Sequence, residues 1–188
     1  MTSDADRALL LRLAREAIAA HVTRIYNPQS AICNPQSAIL ERLGGAFVSL
    51  HRRGDLRGCI GHIQASEALG LVVPRCAVSA CSSDPRFLPV TQAELDDIDI
   101  EISLLGPLEP MSMAGEIEIG RHGLFVERGW HRGLLLPQVA TEWKWDAETF
   151  LAHTCHKAGL SRDAWKNDAR VFRFEAEVFS ERRGLAMS

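Results

Sequence analysis

Cys59 sits in the string LRGCIGHI, residues 56–63, between an arginine and two glycines. On an extended strand side chains alternate, so Arg57, Cys59, Gly61 and Ile63 share one face and Leu56, Gly58, Ile60 and His62 the other. Arg57 then lies ~7 Å from Cys59 along that face. A guanidinium beside a thiol favours the thiolate, which is the nucleophilic form. Gly58 and Gly61 leave room for a ligand or another backbone to come close. The same string also suits a packing slot, because a buried free cysteine behaves as a small hydrophobe. His62 faces the other way, and no histidine is fixed by sequence as a base. Cys59 and Arg57 are the candidate catalytic residues, with simple packing as the competing assignment.

Two further stretches carry candidate binding residues. In SSDPRF, Asp84 ahead of Pro85 can close an Asx-turn. Arg86 would then be free to bind an anion or a partner carboxylate. In PQVATEW the sequence predicts a strand end with Gln138, Glu142 and Trp143 close together, a composition suited to a cleft or interface. EWKW suits an amphipathic cap on the core equally well. A metal centre is argued against by spacing: Cys76 and Cys81 are five apart on a helix, and Cys155 and His156 are adjacent and diverge. The residues name no cofactor.

The elements that must position these groups follow from periodicity. Residues 4–22 predict a helix capped by Ser3 or Asp4, with Leu9, Leu10, Leu13, Ala14, Ala17 and Ile18 as its apolar stripe. NPQSAICNPQSAI then repeats six residues at a period of seven, Asn27–Ile32 and Asn34–Ile39. A proline in each copy argues against a coiled coil and for an exposed, duplicated loop insertion over 27–40. GAFVSL, a turn at Gly54 and LRGCI predict a β-hairpin. A helix capped by Ser66 runs to Cys81, kinked at Pro74 or restarted there. IDIEISLL is a strand burying Ile98, Ile100, Ile102 and Leu104.

The order then recurs. GLFVERGWHRGLLLP is a second hairpin, Asp146 caps a helix over 147–158 that Gly159 stops, and VFRFEAEVF is a last strand with Phe172, Phe174, Ala176 and Val178 on one side. Gly45-Ala46-Phe47-Val48 parallels Gly123-Leu124-Phe125-Val126, and Arg57-Gly58-Cys59 parallels Arg132-Gly133-Leu134. The expected fold is a single α+β domain: a curved mixed or antiparallel sheet of two hairpin–helix–strand repeats, about 45–105 and 123–179, with helices outside. In that pairing Leu134 answers Cys59, which favours the packing assignment.

Bulk properties bound the function. The chain has 188 residues, 46% of them hydrophobic, with 21 Lys+Arg against 24 Asp+Glu and a formal charge of −3. No global field draws it to nucleic acid, and no nucleic-acid motif is present. No run approaches the ~18 apolar residues of a membrane span. Two aspartates near the start and Arg12 and Arg15 inside the apolar run argue against a signal peptide. With five cysteines and no C-x-x-C pair, free thiols in a cytoplasmic protein are expected.

GAFVSL…LRGCIG, DPRF, IEIS, GLLLPQV with a following EW, and FLAHTCHKAGL…W…FRFEAEVF together resemble the AMMECR-type domain. Its bacterial and archaeal members are called AmmeMemoRadiSam system protein A. The resemblance runs in matching order from the first helix to about Glu181. It implies a two-repeat α+β arrangement and association with a radical-SAM protein and a Memo-like protein, the latter resembling extradiol dioxygenases. The family has no established activity, so the resemblance supplies partners and not a mechanism. The NPQSAI stretch, Pro74 and His62 depart from the family's usual pattern, and His62 is not carried over as a functional residue.

The resulting expectation is an accessory or binding component acting with radical-SAM and Memo-like proteins. The alternative is a cysteine-dependent enzyme using Cys59 on a small or protein-bound substrate. All five thiols should be reduced, with Cys33 alkylated first because it alone lies in a predicted exposed loop. Peptide mass spectrometry after a brief native pulse of iodoacetamide checks this ranking, which preferential labelling of Cys59 would reverse.

Overall fold

The structure is a computed structural model that describes residues 2–24 and 37–181. Cys33 and most of the NPQSAI repeat lie outside the described residues. The chain divides into two compact units, one of residues 1–105 with 178–188 and one of residues 106–177.

In the first unit α1 (Asp4–Thr23) starts on a capping box: Ser3 receives the Asp6 amide while the Asp6 carboxylate reaches back to the Ser3 amide. A short turn, α2 (Ala38–Glu41), follows. The expectation of an exposed loop to residue 40 is corrected here, because Ile39 is only 7% exposed and belongs to the core. A hairpin of β1 (Gly45–Arg52) and β2 (Asp55–His62) turns through Arg53 and Gly54, both at positive φ. That is the backbone of a tight hairpin turn, which glycine adopts without strain.

Next come α3 (Leu69–Ser82) and β3 (Ile98–Leu105), the strand order being β2–β1–β3 with both pairings antiparallel. Helix α3 is one continuous helix with Pro74 inside, not two, and Ser66 does not cap it; Ala68 stands at its N-cap. A mid-helix proline loses one backbone bond. Here Val72, Val73, Cys76, Ala77 and Ala80 are buried against the sheet and α1, and that packing carries the helix through.

The core that packs on the helices lies on one face of this sheet. Val48, Leu50, Ile98, Ile100, Ile102 and Leu104 join α1 and α3 there, as the alternation predicts. Gly58 permits the closest approach. A Cβ on it would sit 2.2 Å from the Ala80 carbonyl oxygen, so strand β2 runs directly beneath the end of α3.

The second unit pairs β4 (Glu109–Met111), β5 (His122–Arg128), β6 (His131–Leu135) and the first part of β7 (Arg170–Ser180), again antiparallel, in the order β6–β5–β7–β4. Pro110, which donates no ladder hydrogen bond, falls in the short outer strand β4. Helix α4 (Pro137–Glu142) replaces the predicted strand end of PQVATEW, with proline at its first position. Helix α5 (Ala147–Lys157) is capped by Asp146, which accepts from the Thr149 amide at 2.8 Å. Gly159, at φ 72°, lies just past its C-terminal end.

Hairpin, helix and strand thus occur in that order in both units. A Cβ on Gly133 would meet the backbone of Thr154 in α5 and of Ala158 at its C-cap, as one on Gly58 meets α3. The hairpins differ in register: Leu50 faces Gly58, whereas Val126 faces Gly133. Val178 shares one side of the last strand with Phe172, Phe174 and Ala176 but differs from Phe174 in burial. It is 43% exposed, while Phe179 packs on the first unit's core.

Replacing Gly58 by alanine should destabilise the chain by about 2 kcal/mol, because neither the strand nor the helix end can yield easily. Thermal melts followed by circular dichroism check this, with Gly115→Ala as the comparison, since a Cβ there meets nothing within 4 Å and its φ is not positive.

Candidate functional site

The helix-free face of the first unit carries the polar residues. Register places Cys59, Ser49 and Glu101 in one row across β2, β1 and β3. Phe47 and Ser103 stand in the row on one side, and His51 and Asp99 on the other. Side chains directly opposite on neighbouring strands hold their Cβ atoms ~5 Å apart. The Ser49 hydroxyl donates to Cys59 Sγ at 3.2 Å. The Phe47 ring lies over Gly61, where a Cβ would be 2.2 Å from Cδ1, so the glycine keeps one wall of the row flat.

Cys59 differs from the other described cysteines. Cys76, Cys81 and Cys155 are at most 3% exposed and belong to hydrophobic clusters. Burial pushes the thiols of Cys76 and Cys81 up to about 11. Cys59 is partly exposed, on the face away from the core. At Leu134, the residue set against it in sequence, the side chain is also on the helix-free face of its own unit, opposite Phe125.

A buried carboxylate fixes the backbone here. Asp84, 4% exposed, accepts the Cys59 N–H at 2.8 Å. The same carboxylate takes the Arg86 backbone N–H at 3.1 Å, the bond of an Asx-turn, and both Nε and Nη2 of Arg86 at 3.0 and 2.7 Å. These donors, the Arg86 guanidinium first, hold the Asp84 carboxyl well below the usual carboxylate range. Arg86 is therefore not free, as the sequence had suggested. Its guanidinium closes on Asp84 and stacks over Phe87 at 5.3 Å, close enough to Cys59 for a charge on the sulfur to reach it.

Arg57 has a different job from the one its spacing suggests. Its Nε and Nη2 grip Glu94 at 3.0 and 3.3 Å, and its remaining N–H groups reach the carbonyls of Leu88 and Pro89. Glu94 also receives Arg52 and both the amide and the hydroxyl of Thr91. These bonds, Arg57 first, lower the Glu94 carboxyl from 4.5 to about 2. Arg57 thus pins the segment that carries Asp84 onto strand β2.

Sequence reasoning missed Ser49, His51, Glu101 and Ser103. Their signal was present in the alternation, since each takes a polar slot between buried Val48, Leu50, Ile100 and Ile102. Ser103 Oγ and His51 Nε2 are buried with no hydrogen-bond partner among the described residues.

Gln138, Glu142 and Trp143 lie in the second unit, on and just after α4. Trp143 is 68% exposed and stacks on Trp145, which in turn stacks on His153 at 3.9 Å between ring centres. Burial, then the nearby Arg162 guanidinium, lowers the His153 pKa. Among the described residues no three His, Cys, Asp or Glu side chains are grouped to hold a metal ion, and no helix is long and apolar enough to cross a membrane.

Glu94→Gln should cost about 2 kcal/mol at pH 7, since it removes a carboxylate holding two arginines. The stability owed to the depressed carboxyl is present above pH 4.5 and lost as pH falls towards about 2. The gap between wild type and variant in urea melts should therefore narrow over that window.

Comparison with known proteins places this geometry. A sequence profile of the AMMECR1 family matches residues 11–179. A protein of Methanothermobacter thermautotrophicus is 46% identical over 179 residues, covering 92% of each chain. One from Thermococcus onnurineus is 44% identical over 92% of this chain and 88% of its own. The crystal structure of the uncharacterised protein PH0010 from Pyrococcus horikoshii superposes with a TM-score of 0.83 at 40% identity, over 92% of this chain and 90% of that one. The profile spans both units, and with relatives this similar over nearly their whole length, the chain belongs to the AMMECR1 family.

Proposed function

We propose that this chain is an accessory, substrate- or partner-binding component that acts with radical-SAM and Memo-like proteins and presents the Cys59 face of its first unit to what it binds. The observation that carries the reading is the donor at the sulfur. The group bonded to Cys59 is the Ser49 hydroxyl, which gives a hydrogen bond to sulfur and at neutral pH does not remove a proton from it. A nucleophilic cysteine usually has a base within reach. The face is held in place by the Asp84 clamp, which suits recognition.

A second reading, a cysteine-dependent enzyme on a small or protein-bound substrate, draws on the same Ser49 bond. The sulfur is partly exposed, and the Ser49 hydroxyl that donates to it could donate equally to a sulfur bonded to substrate.

Co-purification with the two partner proteins, comparing wild type, Cys59→Ser and Arg86→Ala, separates the two. The accessory reading expects a complex that survives Cys59→Ser and weakens about tenfold with Arg86→Ala, which unfastens the clamp. A turnover abolished by Cys59→Ser, in a variant that folds and still binds, would replace it with the enzyme.

A further inference from the structure

We infer that the second unit binds a small alkanolamine, a primary ammonium group with a hydroxyl on the neighbouring carbon, in a cavity of about 490 Å³ beside His122. The inference does not draw on the Cys59 face or on the partners proposed above. It rests on an excess of carboxylates and on one histidine proton that no protein group receives.

Register builds the floor of the cavity. His122 on β5 stands opposite Glu175 on β7, and Arg173 stands between Leu124 and Glu109 in the next row. These side chains share a sheet face with Leu124, Val126 and Val171, which belong to the second unit's core. The segment ahead of β5 is tied down to them. Arg173 Nη1 donates to the Glu116 carbonyl at 2.7 Å, and the Glu118 carbonyl takes the amides of Arg121 and His122 at 3.2 and 2.9 Å.

His122 is only 8% exposed, and its Nδ1 accepts the Glu118 N–H at 3.0 Å. A neutral imidazole that accepts at Nδ1 carries its proton on Nε2. The ring lines the cavity, and Nε2 bonds no group among the described residues. A donor so nearly buried, and held in one tautomer, calls for an acceptor that the protein does not supply.

The charges decide the rest of the ligand. Glu109, Glu116, Glu118 and Glu175 line the cavity against two guanidinium groups, those of Arg121 and Arg173. Glu116 accepts the Ser112 and Met113 amides at 2.9 Å, which holds its carboxyl below the usual carboxylate range. Arg121 bridges Glu118 and Glu175 at 3.0 and 2.8 Å, and Arg173 takes Glu109 at 3.1 Å. Each of these three carboxylates meets its arginine through one oxygen and keeps the other for a further donor. The excess negative charge disfavours an anion and favours an ammonium, whose three N–H groups suit oxygens that stand apart. Among the described residues no three such side chains are grouped to hold a metal ion. A hydroxyl beside the ammonium completes the match: its oxygen accepts from His122 Nε2, and its own proton goes to a carboxylate.

The test titrates the full chain with ethanolamine, ethylamine and ethylene glycol, which share a two-carbon frame and differ only in the groups they carry. Binding is followed by NMR of ¹⁵N-labelled histidine side chains at constant pH and ionic strength. Ethanolamine should give a saturable shift of the His122 Nε2 signal, with an affinity about fivefold above that of ethylamine. Ethylene glycol should give no saturable shift. Glu175→Gln, a change at an exposed carboxylate, should weaken both amines about threefold and leave the preference between them. His122→Phe should erase that preference while ethylamine still binds. Should this variant lose its native circular dichroism spectrum, the Nε2 shift in the unaltered chain decides. The inference is overturned if ethanolamine does not saturate, binds no tighter than ethylamine, or leaves the His122 Nε2 signal in place.

Discussion

The first unit is organised around one carboxylate. Asp84 is nearly fully buried, and a charge taken out of water must be matched by donors or it will not stay charged. It is matched by the Cys59 amide, the Arg86 amide and the Arg86 guanidinium, so a loop residue, a strand backbone and an arginine are held as one piece. The Arg57–Glu94 pair repeats the device further along, tying β2 to the segment between α3 and β3. The loop after α3 thereby becomes a rigid flank of the sheet, and the orientation of the Cys59 thiol follows from it.

Much of the fold was legible because burial enforces period. The alternation of Ile98, Ile100, Ile102 and Leu104 can only be satisfied by a strand with one face on a core, and Asp146 and Gly159 mark their helix as caps do. What failed was decided by tertiary contacts. Pro74 signals a break, but a helix packed along one side against α1 and the sheet loses one backbone bond and keeps the rest of its packing. PQVATEW carries no period long enough to distinguish a strand end from one turn and a half of helix. Ile39 has a loop-like neighbourhood in sequence and a core position in space.

The site was half legible, for a physical reason. Cys59, Asp84 and Arg86 stand in strings unusual enough to be noticed, and the structure brings the three together. Arg57 was read as a thiol's neighbour from strand spacing alone. Spacing fixes a Cα and leaves a long side chain free to seek the strongest partner, and a carboxylate with two oxygens outbids a thiol for a guanidinium. Ser49, Glu101 and Ser103 come from two other strands. Their proximity to Cys59 depends on register, which no local pattern states.

The match of Leu134 to Cys59 in sequence does not make Cys59 a packing residue. Gly58 and Gly133 do the same work, letting a strand pass under a helix end, and each leaves the next residue on the helix-free face. In the second unit that residue is Leu134, opposite Phe125, whose ring meets Phe172 at 5.9 Å. In the first it is Cys59, opposite Ser49, with Glu101 beyond. Packing on the helix side constrains both hairpins alike and fixes where a side chain on the other face must point. It does not fix what that side chain is, which leaves the first unit free to keep a thiol, two buried hydroxyls and a clamped backbone amide where the second keeps leucine and phenylalanine.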